Sequence, residues 1–140
     1  MSETIPVAPS AGYDWPATLA FLARRAIPAV ERVDGDVYCR TVRLGEAAGT
    51  LSVTYSQAET ALMIELTGIS GSIPSIVERL RTMFDLDANL PEINAHLARD
   101  PTMARLVAVR PALRVFGGWD PLEVAMRSII GQQVSVARAR

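Results

Sequence analysis

The chain is expected to fold as an α+β protein, and three observations carry that expectation. Between residues 29 and 66, short segments alternate apolar and polar side chains with the period of a strand. A helical stripe stands on either side of them, and from Leu90 onward the pattern is helical to the end. Helices flanking an antiparallel meander pack on one sheet face, which makes residues 1–90 an α+β domain and residues 91–140 the beginning of a helical region.

A Pro- and Ser-bearing arm comes first. Trp15, Leu19, Leu22, Ala23 and Ala26 then share one helical stripe, closed by Pro28. Ala29 to Val33 is a short strand candidate, and Asp34-Gly35 makes a hairpin-type turn into a strand from Val37 to Leu44. Leu51, Val53 and Tyr55 alternate with Ser52 and Thr54, and Leu62, Ile64 and Leu66 repeat the pattern. Thr67 to Gly71 breaks the chain. Ser72 caps a predicted helix whose stripe is Ile73, Ile76, Val77, Leu80 and Phe84.

The helical region is interrupted at Pro101, at Pro111 and at Gly117-Gly118. Its last full helix has strong start signals: Asp120 as N-cap, Pro121 at the first position and Glu123 three residues after the cap. Leu122, Ala125, Met126 and Ile129 fall on one stripe, and Glu123 pairs with Arg127 at i, i+4 on the other face. Gly131-Gln132-Gln133-Val134-Ser135 then break the helix, and the first turns of another follow. The apolar stripe has no predicted partner, as in a fragment of a larger helical domain.

Composition narrows the function classes. With 49% hydrophobic and 21% charged residues the chain is globular rather than disordered. No apolar run approaches the roughly 18 residues that span a bilayer, and the N-terminus lacks the pattern of a signal peptide, so a cytoplasmic protein without membrane attachment is expected. Cys39 is the one cysteine, which excludes an internal disulfide or a cysteine metal cluster. His96 stands alone on a helix, so no metal site is expected. Asp85 and Asp87, near a helix end, are expected to be surface and capping charges, and Trp119 a hydrophobic staple ahead of Asp120. No phosphate-binding loop, dinucleotide fingerprint or nucleophilic triad is present, and no cofactor is expected.

The formal net charge is −1 and the pI about 5.8, against the value above about 9 usual for a self-sufficient electrostatic DNA binder. The charge is unevenly placed. Residues 1–100 hold eight Arg against thirteen acidic residues, whereas residues 101–140 hold six Arg against Asp120 and Glu123. Phosphate contacts are therefore expected from the C-terminal part.

Two features stand apart from core formation. At 100° per residue Phe21 lies opposite the stripe of Leu19, Leu22 and Ala26, among Ala17, Arg24 and Arg25. A bulky aromatic there either packs against a neighbouring domain or lines a pocket. Gly131-Gln132-Gln133 places two polar residues after a glycine, where they begin an exposed helix or serve a ligand.

Several motifs carry a family resemblance. Tyr13-Asp14-Trp15 leading into Leu19 to Ala26, Tyr38-Cys39-Arg40-Thr41 with Leu44-Gly45-Glu46, Met83-Phe84-Asp85-Leu86-Asp87, and the segment from Arg110 to Arg140 occur in the order seen in DNA-3-methyladenine glycosylase II. From about Gly12 to Arg140 the chain resembles this AlkA-type branch of the helix-hairpin-helix base-excision glycosylases. The resemblance implies an N-terminal domain like one half of the TATA-binding-protein fold, followed by the start of an all-α helix-hairpin-helix domain.

It also implies a function. Enzymes of this family flip an alkylated base such as 3-methyladenine out of double-stranded DNA and hydrolyse its N-glycosidic bond, as monomers. By resemblance Phe21 belongs to the base pocket; Ala17, one turn earlier, departs from the second aromatic that well-known members carry. Gln133 falls at the position of the wedge that fills the vacated space, beside Gln132 and Gly131, and its amide can hydrogen-bond the orphaned base. The cationic leaving base needs aromatic walls and a carboxylate that stabilises the developing oxocarbenium ion. In the family that carboxylate is an Asp after the hairpin. None of the fifteen acidic residues matches it, so no catalytic residue is assigned and residues 1–140 alone are expected to be inactive. The alternative is a non-catalytic α+β binding or scaffold module that docks on a partner protein or a separate catalytic chain.

Overall fold

The structure, a computed structural model, describes residues 3–69 and 73–135. The cap expected at Ser72 and the helix expected after Ser135 lie outside the described residues. Five strands form one antiparallel sheet in the order β1-β5-β4-β3-β2. They are β1 (Glu3–Val7), β2 (Glu31–Asp34), β3 (Val37–Leu44), β4 (Ala47–Ser56) and β5 (Ala61–Thr67).

β2 to β5 form the expected meander, and Gly35 takes the left-handed conformation, with φ 59°, that a two-residue hairpin favours. β1 is the correction. The Pro- and Ser-bearing arm, to which no strand was assigned from sequence, pairs with β5 along its length, Ile5 opposite Ile64 and Val7 opposite Leu62. Pro6 obscures this strand in the sequence, because proline is tolerated only at a sheet edge, and β1 is an edge. The short strand expected from Ala29 begins instead at Glu31, after Ala29 at φ 67°.

One sheet face is covered and the other is open, as the alternation requires. Tyr38, Leu51, Val53, Leu62 and Ile64 are buried on the covered face, while Thr41, Thr50, Glu65 and Thr67 of the other face are exposed. Two helices cover the inner face. α1 (Trp15–Arg25) buries Trp15, Thr18, Leu19 and Leu22; Ala23, placed on its stripe by periodicity, is exposed. The Asp14 carboxylate caps α1 by accepting from the Ala17 N–H at 2.9 Å, and Trp15 Nε1 donates to the Asp36 carbonyl at 2.8 Å, tying helix to hairpin. α2 (Ile73–Met83) buries Ile76, Leu80 and Met83, and Phe84 just beyond it is fully buried against Trp15 and Tyr38.

Three further helices follow: α3 (Leu90–Leu97), α4 (Pro101–Val109) and α5 (Pro121–Gly131). Each has proline in its first turn and an Asn or Asp cap at position 89, 100 or 120. No described helix is long and apolar enough to cross a membrane.

The chain returns to the sheet unit between α4 and α5. Arg114 is buried, donates to the carbonyls of Asp85, Ala11 and Gly12, and lies over the Tyr13 ring with its guanidinium carbon 5.0 Å from the centroid. Asp85 is therefore not simply the surface charge expected. Its backbone is left-handed at φ 53°, and its carboxylate accepts from the Val115 N–H at 3.1 Å. Asp87 does behave as a surface charge, paired with Arg81. Gly117 donates to the Met83 carbonyl at 3.0 Å, in a crossing so tight that a Cβ would stand 2.9 Å from the Thr82 oxygen. Trp119 then inserts into the core of the sheet unit, which is more than the local staple expected of it.

Candidate functional site

The helix that frames the site docks by its polar face. Strand alternation turns Arg40 inward between Tyr38 and Val42, where its side chain is only 3% exposed. A buried guanidinium is costly unless it is paired and hydrogen-bonded. α5 supplies the partner: Arg40 Nη2 donates to Glu123 Oε2 at 2.8 Å, while its Nη1 lies 3.8 Å from Glu31 Oε1.

Arg127 completes the set. Its Nη2 reaches Glu31 Oε2 at 2.5 Å and Glu123 Oε1 at 2.9 Å, and its Nη1 donates to the Arg25 carbonyl at 3.0 Å. The i, i+4 pair of Glu123 and Arg127 is present as expected, but it faces the sheet unit rather than solvent. Glu123 is consequently spent on two arginines instead of closing a capping box; the Asp120 carboxylate still caps α5 through the Leu122 and Glu123 N–H groups.

Burial pushes the Glu31 carboxyl upward, but hydrogen bonds from Tyr38 and Arg127, with that from the Ile27 N–H, outweigh it and hold the group below its ordinary value. Tyr38 is shifted strongly upward by burial and by the Glu31 charge. At neutral pH Glu31 is thus an ionised acceptor and Tyr38 a neutral donor, and two carboxylates offset the two guanidiniums of the set.

This docking leaves a cleft between α1 and α5. A cavity of about 420 Å³ is lined by Phe21 and Arg25 of α1, by Phe116 and Gly118 of the connecting loop, and by Arg127 and Gly131 of α5. Phe21 is half-buried, its ring centroid 4.9 Å from that of Phe116 with the planes tilted by 40°. Of the two roles open to an off-stripe aromatic, the geometry unites both: Phe21 packs against the loop that leads to α5, and it walls the cavity. Phe116 supplies a second aromatic to the same cavity.

Gly131 is the last residue of α5 rather than a break before the next helix. Gln132 is the C-cap, and the Gln132 and Gln133 N–H groups donate to the carbonyls of Ile129 and Ile130 at 3.3 and 3.0 Å. Both glutamines are exposed in this turn, while Gly131 also touches the cavity. The structure therefore brings Phe21 and Gly131 to one cleft and puts Gln132 and Gln133 just beyond its end.

Arg40, Glu31, Arg25 and Phe116 were given no site role from sequence. Arg40 carried a legible signal, a charge at an inward position of an alternating strand. Phe116 had none, because it sits in a loop without periodicity. His96 is exposed at the end of α3, and no cluster of metal-ligating side chains occurs among the described residues.

A 3-methyladenine DNA-glycosylase from Archaeoglobus fulgidus superposes with a TM-score of 0.82 over 96% of this chain and 46% of that chain, at 18% identity, a likeness of fold alone. The AlkA N-terminal domain profile matches residues 6–120, and the chain belongs to that family. DNA-3-methyladenine glycosylase 2 of Escherichia coli K12 is 37% identical over 128 residues, covering 91% of this chain and 43% of the relative. The probable bifunctional transcriptional activator/DNA repair enzyme AlkA of Mycobacterium tuberculosis (strain CDC 1551 / Oshkosh) is 30% identical over 139 residues, covering 99% of this chain and 27% of the relative. The chain thus spans less than half the length of these relatives. The resemblance drawn from the motifs is borne out, as is the α+β fold.

Proposed function

We propose that residues 1–140 are the N-terminal part of a monofunctional base-excision glycosylase that acts on double-stranded DNA in the cytoplasm, without a cofactor and as a monomer. It flips an alkylated base such as 3-methyladenine and hydrolyses its N-glycosidic bond. The observation that carries this reading is the cleft walled by Phe21 and Phe116, with Gly131 at one side and the exposed glutamines beyond it. Aromatic rings stack on an extruded base, and an amide side chain beside the cleft can occupy the gap that the base leaves.

On this reading residues 1–90 are a scaffold, residues 91–140 begin the helical catalytic region, and Gln133 is the wedge. The reaction also requires a carboxylate free to face the sugar. Glu31 and Glu123 line the cavity, yet both are held in ion pairs, which supports the reading that residues 1–140 alone do not turn over substrate. On this reading the exposed stripe of Leu122, Met126 and Ile129 is the face against which further helices of the catalytic region pack.

Release of methylated purine from alkylated duplex DNA tests the reading. The full-length protein is expected to release base, residues 1–140 to release none, and Gln133→Ala to weaken binding to abasic-site DNA by about tenfold, a fraction of the few kcal/mol that flipping costs. Unaltered abasic-site affinity in that variant would remove the wedge role. Absence of release by the full-length protein would favour a scaffold module.

A further inference from the structure

The cleft contains a charge that the ion-pair set does not use. Arg40 and Arg127 are each paired with Glu31 and Glu123. Arg25 also lines the cavity but makes no ion pair among the described residues, so these five groups leave one unmatched positive charge. Its guanidinium carbon stands 4.6 Å from the Phe21 ring centroid, in cation–π range. Phe116 packs on the same ring at 4.9 Å. On an ordinary helix surface a Phe–Arg pair at i, i+4 would be a minor contact. Here it occupies the aromatic wall of a cavity.

Resting on the base-cleft reading, we infer that Arg25 tunes the charge preference of the cleft, reducing its advantage for cationic N-alkylpurines over neutral purine lesions. A cationic base must displace Arg25 from Phe21 or stack beside it against like-charge repulsion. A neutral purine displaces the same contact but meets no like-charge repulsion, and its ring-nitrogen and carbonyl acceptors can take hydrogen bonds from the guanidinium, which carries five donors and no acceptor. Arg25 thereby widens the accepted bases beyond the cationic ones that an aromatic wall alone selects.

The test compares single-turnover excision by the full-length protein on one duplex carrying either 7-methylguanine, which is cationic as the nucleoside, or hypoxanthine, which is neutral. Arg25→Gln is expected to raise the cationic-to-neutral rate ratio by about threefold or more, the scale of one cation–π contact. Arg25→Lys, which keeps the charge, is expected to stay near the wild-type ratio. Arg25 is exposed and the bond from Arg127 goes to its backbone carbonyl, so neither variant is expected to change the unfolding temperature. An unchanged ratio in Arg25→Gln, or an equal change in Arg25→Lys, overturns the inference. Phe21→Ala separates the two levels. If it slows both excisions while Arg25→Gln leaves the ratio alone, the cleft reading stands and the Arg25 role falls. If it slows neither, both fall.

Discussion

The sheet unit and helix α5 are built on opposite principles. The sheet unit closes on apolar side chains: Tyr38, Val53, Leu62, Ile64, Leu80 and Phe84 are fully buried. α5 has no buried residue, yet it is docked by Glu123 and Arg127 against a buried guanidinium and a nearly buried carboxylate of the sheet. Its apolar side faces away, with Leu122 71% and Ile129 66% exposed. A hydrophobic stripe in sequence therefore identifies a helix without identifying which side its neighbour takes. The inner sheet face was already occupied by α1 and α2, and what remained at its edge was charge.

The difference can be tested by breaking each region in turn. The largest effect is expected in the apolar core, where Phe84→Ala removes a fully buried ring that touches Trp15 and Tyr38. A loss of about 4 kcal/mol should appear in denaturant unfolding, and the whole molecule should be affected. Arg40→Ala comes next, at about 3 kcal/mol, because it leaves Glu123 and Glu31 with Arg127 as their one guanidinium partner. Its signature differs: amide exchange should accelerate along α5 before it does in β3 to β5. The smallest effect belongs to Ile129→Ser on the exposed stripe of residues 1–140, within about 0.5 kcal/mol of zero. If Ile129→Ser cost more than Arg40→Ala, α5 would be docked by its apolar side and the contrast would be wrong.

The legibility of the molecule followed the range of the interactions concerned. Strands β3 to β5 and helices α1, α2 and α5 could be read because alternation, helical stripes and caps are local and repeat within a few residues. Strand β1 was missed because five residues containing a proline carry too little pattern, and its order comes from a partner some sixty residues away, Ile5 opposite Ile64. The tertiary contact of Asp85 was not legible for a similar reason, since the Val115 N–H that its carboxylate accepts arrives from thirty residues further on.

At the site the same division holds. Phe21 was legible as an aromatic off its stripe, whereas Gln132 and Gln133, expected at a wedge only by resemblance to a family, do not line the cavity. The cavity joining Phe21 to Phe116, Arg25 and Gly131 was not legible, because it exists only once α5 has docked. Local periodicity and capping in the chain alone specify which residues form the helices and most of the sheet, since those preferences act within one or two turns. Tertiary structure alone determines which face of α5 meets the sheet and which charges Glu123 and Arg127 offset. A buried guanidinium must find its carboxylate wherever the chain brings one, and that demand has no period in sequence.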